Sequence, residues 1–152
     1  MNPQDSIGFI VRRTGRVLRN MIQMRLKEAQ LDITMEQGAV LMRLGQSDGC
    51  SQNELTDFLS KDKTTIARLV SNMERNSFLV RVPSENDARV KLLYLTQKGK
   101  EEQAKLKGEI LEGLSIATKD IDSEELAICK KVLNQMYNNI PPITGEDNDI
   151  CK

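Results

Sequence analysis

Apolar positions recur at helical spacing along most of the chain. Ile7, Ile10/Val11, Val17/Leu18, Met21/Ile22 and Leu26 share one face of a helix predicted over residues 5–29. Arg12, Arg13, Arg16 and Arg19 occupy much of the rest, as a solvated face or as contacts to nucleic-acid phosphates. Leu31-Asp32-Ile33 breaks this helix. Thr34, with Gln37 three residues on, has capping-box spacing and opens a second helix, with Met35, Ala39/Val40, Leu41 and Leu44 as its inner stripe. Gly45 and the polar residues 46–49 end it. Ser51 and Glu54 repeat the box and open a short helix to about Leu59, with Leu55, Phe58 and Leu59 inward. Ser60-Lys61 turns the chain. Asp62 caps a helix over residues 63–76 that turns Ile66, Leu69/Val70 and Met73 inward.

The period then changes to two. Residues 78–82 read as a strand with Phe78, Val80 and Val82 on one side, and residues 90–95 as the returning strand. The polar loop between them carries Asp87 and Arg89. Thr96 caps a further helix with a weaker stripe (Ala104, Leu106, Ile110/Leu111, Leu114), interrupted by Gly108 and Gly113. Residues 116–120 read as a break, and Asp122 with Glu125 restarts a helix. There Leu126, Cys129, Leu133, Met136 and Ile140 step by 3, 4, 3 and 4, a seam that requires a partner helix and makes Cys129 a packing residue. Pro141-Pro142 stop it, and residues 143–152 read as a frayed acidic tail.

Two short helices followed by a hairpin define a winged helix-turn-helix. The predicted class is therefore mainly α (α+β): a winged helix-turn-helix with a β-hairpin wing, flanked by N- and C-terminal dimerisation helices. One domain spans residues 1–152, with a DNA-binding lobe over 34–95, a helical dimerisation lobe from 5–29 plus 96–140, and a tail over 141–152. A chain of 152 residues buries enough apolar surface to need neither disulfides nor metals.

Charge adds direction. The whole chain balances, with 22 basic and 22 acidic residues. Residues 1–96 hold 14 basic against 11 acidic, residues 97–152 hold 8 against 11, and every arginine lies at or before Arg89. A basic front fits a protein that turns one face to nucleic acid. Cys50, Cys129 and Cys151 form no CxxC pair and read as reduced thiols of a cytoplasmic protein. No export signal or membrane-spanning run is visible. With no His, no Ser-His-Asp triad or His-based zinc site is possible, and no phosphate loop is present. No cofactor, metal site or enzymatic activity is expected.

The helix over residues 63–76 carries the candidate chemistry. Lys63, Thr64, Arg68, Ser71 and Arg75 lie on its outer side with Thr65 near its start, and no carboxylate appears before Glu74. Small hydroxyls allow close approach to a major groove, and Arg68 can grip a guanine edge. An ordinary amphipathic helix would mix charges of both signs there. Arg89, on a loop longer than a tight hairpin needs, suits the minor groove, and Asp87 is placed to brace it through the loop backbone or a nearby Arg.

These residues resemble those of the MarR family of bacterial regulators. Asp87-Ala88-Arg89, then Lys91-Leu92 and Leu95-Thr96-Gln97-Lys98-Gly99, are similar to its wing signature. Glu54-Leu55 and residues 63–69 are similar to its support and recognition helices, and residues 136–140 to the end of its last helix. Ala88 departs from a second Arg carried by many members. The resemblance implies a homodimeric, ligand-responsive repressor that binds double-stranded DNA at a pseudo-palindromic operator, with Arg89 in the minor groove and Asp87 as its brace. It also implies a small aromatic or lipophilic effector. Two alternatives stay open: a redox-sensing regulator acting through Cys50, which precedes a helix N-terminus that favours thiolate, and a winged-helix module for protein–protein assembly.

Overall fold

The computed structural model describes residues 3–47 and 49–141. After a short 3-10 turn, Pro3–Asp5, come α1 (Ile7–Glu28), α2 (Met35–Gln46), β1 (Cys50–Ser51), α3 (Gln52–Leu59), α4 (Lys63–Arg75), β2 (Leu79–Pro83), β3 (Lys91–Leu95), α5 (Gln97–Ala117) and α6 (Ser123–Asn139). The chain divides into two compact units, residues 1–117 and 118–152, each described by itself.

In the first unit both capping boxes close. Thr34 Oγ1 accepts from the Gln37 N–H while Gln37 Oε1 accepts from the Thr34 N–H, and Ser51 and Glu54 repeat the exchange. Such a cap contributes about 1 kcal/mol and sets where each helix begins. Val40, Leu41, Leu44, Leu55, Ile66, Val70, Met73, Leu79 and Leu93 then meet in one core, each essentially inaccessible to water. It is enclosed by α2, α3, α4 and a three-stranded antiparallel sheet of order β1-β3-β2. α5 packs on both α1 and α2. Gly113 is buried there; a Cβ on it would lie 3.1 Å from Met21 Cε and 3.3 Å from Arg25 Cδ. Arg25 ties the same contact by pairing with Glu109 and Glu112. Gly113 is thus a point of close helix approach rather than an interruption.

Several expectations are corrected. The inner face of β2 is Leu79 and Arg81, opposite Leu95 and Leu93, so Val80 and Val82 point outward. Both faces of the hairpin carry apolar residues (Val80 faces Tyr94, Val82 faces Leu92), so alternation alone does not choose the inner one. β1 is too short to leave a periodic signal. Phe58 is 53% exposed, beneath the Arg43 guanidinium, instead of inward. α5 extends two residues into the predicted break, to Ala117, and the chain turns at 118–120 before α6.

The second unit contains α6, capped by Asp122, whose carboxylate accepts from the Glu124 N–H. No residue of α6 is buried; Leu126 and Met136 are half-buried, and Cys129, Leu133 and Ile140 are exposed. The predicted tail, from 142 on, and Cys151 lie outside the described residues. Among the described residues, no helix is long and apolar enough to cross a membrane.

Candidate nucleic-acid interface

α3 and α4 are joined by a turn in which Ser60 takes the left-handed conformation, φ 51°. Asp62 then caps α4. Its carboxylate accepts the Thr65 N–H at 2.8 Å and the Thr65 hydroxyl at 2.6 Å. These bonds, the hydroxyl's first, hold the Asp62 carboxyl below its ordinary pKa. The Thr65 proton is therefore committed, and its oxygen is left to accept. Lys63, Thr64, Thr65, Arg68, Ser71 and Arg75 are all exposed. Thr64, Arg68, Ser71 and Arg75 step by four, three and four, which aligns them in one stripe. Neither Lys63, Arg68 nor Arg75 is held in an ion pair among the described residues.

Ser71 has a second task. Its Oγ accepts from Arg81 Nη2 at 3.1 Å. Arg81 Nη1 pairs with Glu74, and Nε donates to Gln52 Oε1 at 3.2 Å. The only carboxylate of α4 is thus occupied by the wing's first strand. Sequence reasoning missed Arg81 because it followed Phe78, Val80 and Val82 along one side of that strand and gave no role to the other side. An arginine in the middle of a hydrophobic strand was the available signal.

The wing is built from its backbone. Ser84 N–H bonds to the Val90 carbonyl at 2.8 Å, and Val90 N–H to the Asp87 carbonyl at 2.9 Å. The Asp87 carboxylate accepts the Arg89 N–H at 3.0 Å, an Asx turn that leaves the Arg89 side chain exposed. At the wing's base the Thr96 hydroxyl donates to the Ser77 carbonyl and accepts from the Gly99 N–H. A Cβ at position 99 would lie 1.9 Å from the Phe78 carbonyl oxygen, so only glycine allows α5 to start against the backbone that leads from α4 into β2. This gives the Leu-Thr-x-x-Gly run a physical reason: it locks the wing to α5.

Cys50 is placed differently from expectation. It is 1% exposed, and its thiol sits near the Ser51 carbonyl. Burial first, then the Glu54 charge, raises its pKa, the opposite of a thiolate-favouring site. Cys129 is the exposed thiol among the described residues. A half-buried polar link joins α2 to α4: Gln37 Nε2 donates to Asn72 Oδ1 at 2.9 Å. Among the described residues no group of three His, Cys, Asp or Glu is arranged to hold a metal.

A support helix, an exposed cationic reading helix and an arginine-tipped wing define a winged helix-turn-helix DNA-binding module. The MarR family model matches residues 33–91, which span most of this module. The uncharacterized HTH-type transcriptional regulator YybA of Bacillus subtilis (strain 168) is 28% identical over 132 residues, covering 86% of this chain and 88% of its own. A MarR-family protein of Listeria monocytogenes, solved complexed with 26mer DNA, superposes with a TM-score of 0.79 at 26% identity, over 90% of this chain and 89% of its own. A MarR transcriptional regulator from Methanosarcina mazei Go1 does so at 0.75 and 28%, over 88% and 94%. Over residues 33–91 the chain matches the MarR family, and over most of its length it is similar to DNA-binding transcription regulators of that family.

Proposed function

We propose that the protein is a cytoplasmic repressor that binds a pseudo-palindromic operator as a homodimer, with Arg68, Lys63, Thr64 and Thr65 reading the major groove, Ser71 and Arg75 extending that contact, and Arg89 entering the minor groove. The observation that carries this reading is the stripe on α4: exposed hydroxyls and unpaired cations, with the helix's one carboxylate turned to Arg81. The DNA complex of the Listeria relative supports the same use of the fold. Two such heads related by a two-fold axis would present their reading helices about 34 Å apart, one helical turn of DNA. The second chain would cover the exposed apolar positions of α6, which suits the division into a lobe over 34–95 and helices outside it.

The proposed effector is a small aromatic or lipophilic molecule. A cleft of about 500 Å³ where α1 meets α2 supports it, lined in part by Leu26, Leu31, Ile33 and Met35 with Lys27 and Glu36 at hand. Thr34, which caps α2, borders that cleft. Its box partner Gln37 reaches Asn72 on α4, so a ligand preferring one arrangement of this link would shift DNA affinity by the difference. The burial of Cys50 weighs against thiol sensing at that residue.

The test is binding to a fluorescent fragment of the DNA upstream of the protein's own gene, against unrelated DNA, over a salt series with and without salicylate. Binding that prefers the first fragment, and whose log affinity falls linearly with log salt, supports the regulator. A salt-independent or absent interaction with DNA refutes it and favours an assembly module. Weakening by salicylate supports the effector class.

A further inference from the structure

We infer that Arg81 is a positioning residue for DNA reading: it fixes the rotation of the reading helix against the wing without touching DNA. The inference rests on the DNA-reading role proposed above. The guanidinium is one rigid plane whose nitrogens address different partners, Gln52 Oε1 from Nε, Ser71 Oγ from Nη2 and Glu74 from Nη1. Gln52 opens α3, Ser71 and Glu74 stand one turn apart on α4, and Arg81 itself belongs to β2. Three elements of the head thus meet on one side chain. Ser71 lies in the same stripe as Arg68 and Arg75, three residues after one and four before the other. Holding Ser71 therefore holds the direction in which both arginines project.

Arg81 also faces Leu93 across the hairpin, and β2 and β3 hold Arg89's loop between them. The fork thereby relates the major-groove arginines to the wing arginine. A binding constellation tolerates errors of only about 0.5 Å and 10–20°. A lysine keeps the charge opposite Glu74, but it has a single nitrogen and no fork to reach α3 and both α4 groups together. A competing account is electrostatic: Arg81 would merely mask Glu74, the one carboxylate on α4, from DNA phosphates. The two accounts differ in what restores binding.

The experiment uses the full chain with Arg81→Lys, Arg81→Met, Arg81→Met/Glu74→Gln and Gln52→Met. Each is titrated against the preferred upstream fragment and unrelated DNA, with the salt slope and the melting midpoint recorded. Positioning predicts that Arg81→Lys melts close to the parent but loses about tenfold or more of its preference for the upstream fragment. Its affinity for unrelated DNA and its salt slope should stay unchanged, because the phosphate contacts remain. Gln52→Met, which removes one partner and no charge, should lower the preference in the same direction by a smaller factor, and it keeps the test open if Arg81→Met does not fold. Arg81→Lys binding like the parent overturns the inference. So does recovery of preference in Arg81→Met/Glu74→Gln, which would assign the effect to charge masking. A parent protein with no preference between the fragments would instead remove the reading function itself, and the inference with it.

Discussion

α4 and α6 are two amphipathic helices that stand in opposite states. In α4 the apolar stripe is spent: Ile66, Val70 and Met73 are fully buried, and the outer face is left to hydroxyls and cations. In α6 no residue is buried, and Ile128, Val132, Leu133, Tyr137 and Ile140 stay exposed. Both sequences carry a helical apolar pattern. The difference is that α4 finds its partners, α2, α3 and the sheet, within one chain. An apolar stripe left open at this scale marks an interaction surface. The core of the reading head is therefore complete in a single chain, while the open stripe of α6 is the surface that the proposed second chain would cover.

The sharpest way to break the comparison is to damage both helices and read different quantities. Ile66→Ala should lower unfolding stability by about 2–5 kcal/mol in urea titrations, because a side chain with no exposure leaves a cavity. Leu133→Asp, on the open face, should instead weaken self-association at least tenfold in sedimentation equilibrium. If Leu133→Asp lowers the stability of dilute protein as much as Ile66→Ala does, then α6 is packed within its own chain and the contrast fails.

A smaller effect separates reading from folding. Arg89→Ala should reduce affinity for the preferred fragment by about 1–3 kcal/mol and leave the melting midpoint unmoved. The Asp87–Arg89 bond uses the Arg89 backbone, which alanine retains. Binding equal to the parent would remove Arg89 from the interface.

What could be read from the sequence follows the same division. Residues that act through local geometry were legible: Thr34 with Gln37, Ser51 with Glu54, and Asp62 as a cap are spacing rules, and the structure forms each one. The exposed stripe of α4 was legible because helical period separates its two faces cleanly. The inner face of β2 was not, because the residues on either side of Arg81 are valines and the inward arginine is satisfied only by groups distant in sequence. Gln52 lies 29 positions from Arg81, and no local pattern reports such a contact. Cys50 failed for a related reason. Its nearness to a helix start suggested a low pKa, but its pairing opposite Leu93 buries it. Thr34→Ala tests the legible part: the melting transition should lose about 1 kcal/mol. A loss much larger than that would mean that the Gln37–Asn72 link depends on the cap.

The two described cysteines give the finest probe of the comparison, since one lies in each region. Cys50 is in the core of the reading head, with its pKa raised above the ordinary value of 9.0, chiefly by burial. Only the thiolate is nucleophilic, so both access and ionisation oppose its reaction. Folding favours the protonated thiol. This contribution to stability is complete below pH 9.0 and is lost as pH rises through the raised folded value. Cys129 on α6 is exposed. With an alkylating reagent at pH 8 and peptide mapping, Cys129 should be modified readily in dilute protein and Cys50 only after denaturant is added. If α6 is covered by a second chain, labelling of Cys129 should slow as protein concentration rises, while that of Cys50 should not change. Equal rates at both positions would mean that the reading head opens as easily as α6 and would return Cys50 to consideration as a sensor. A Cys129 rate independent of concentration would leave α6 uncovered and count against the homodimer.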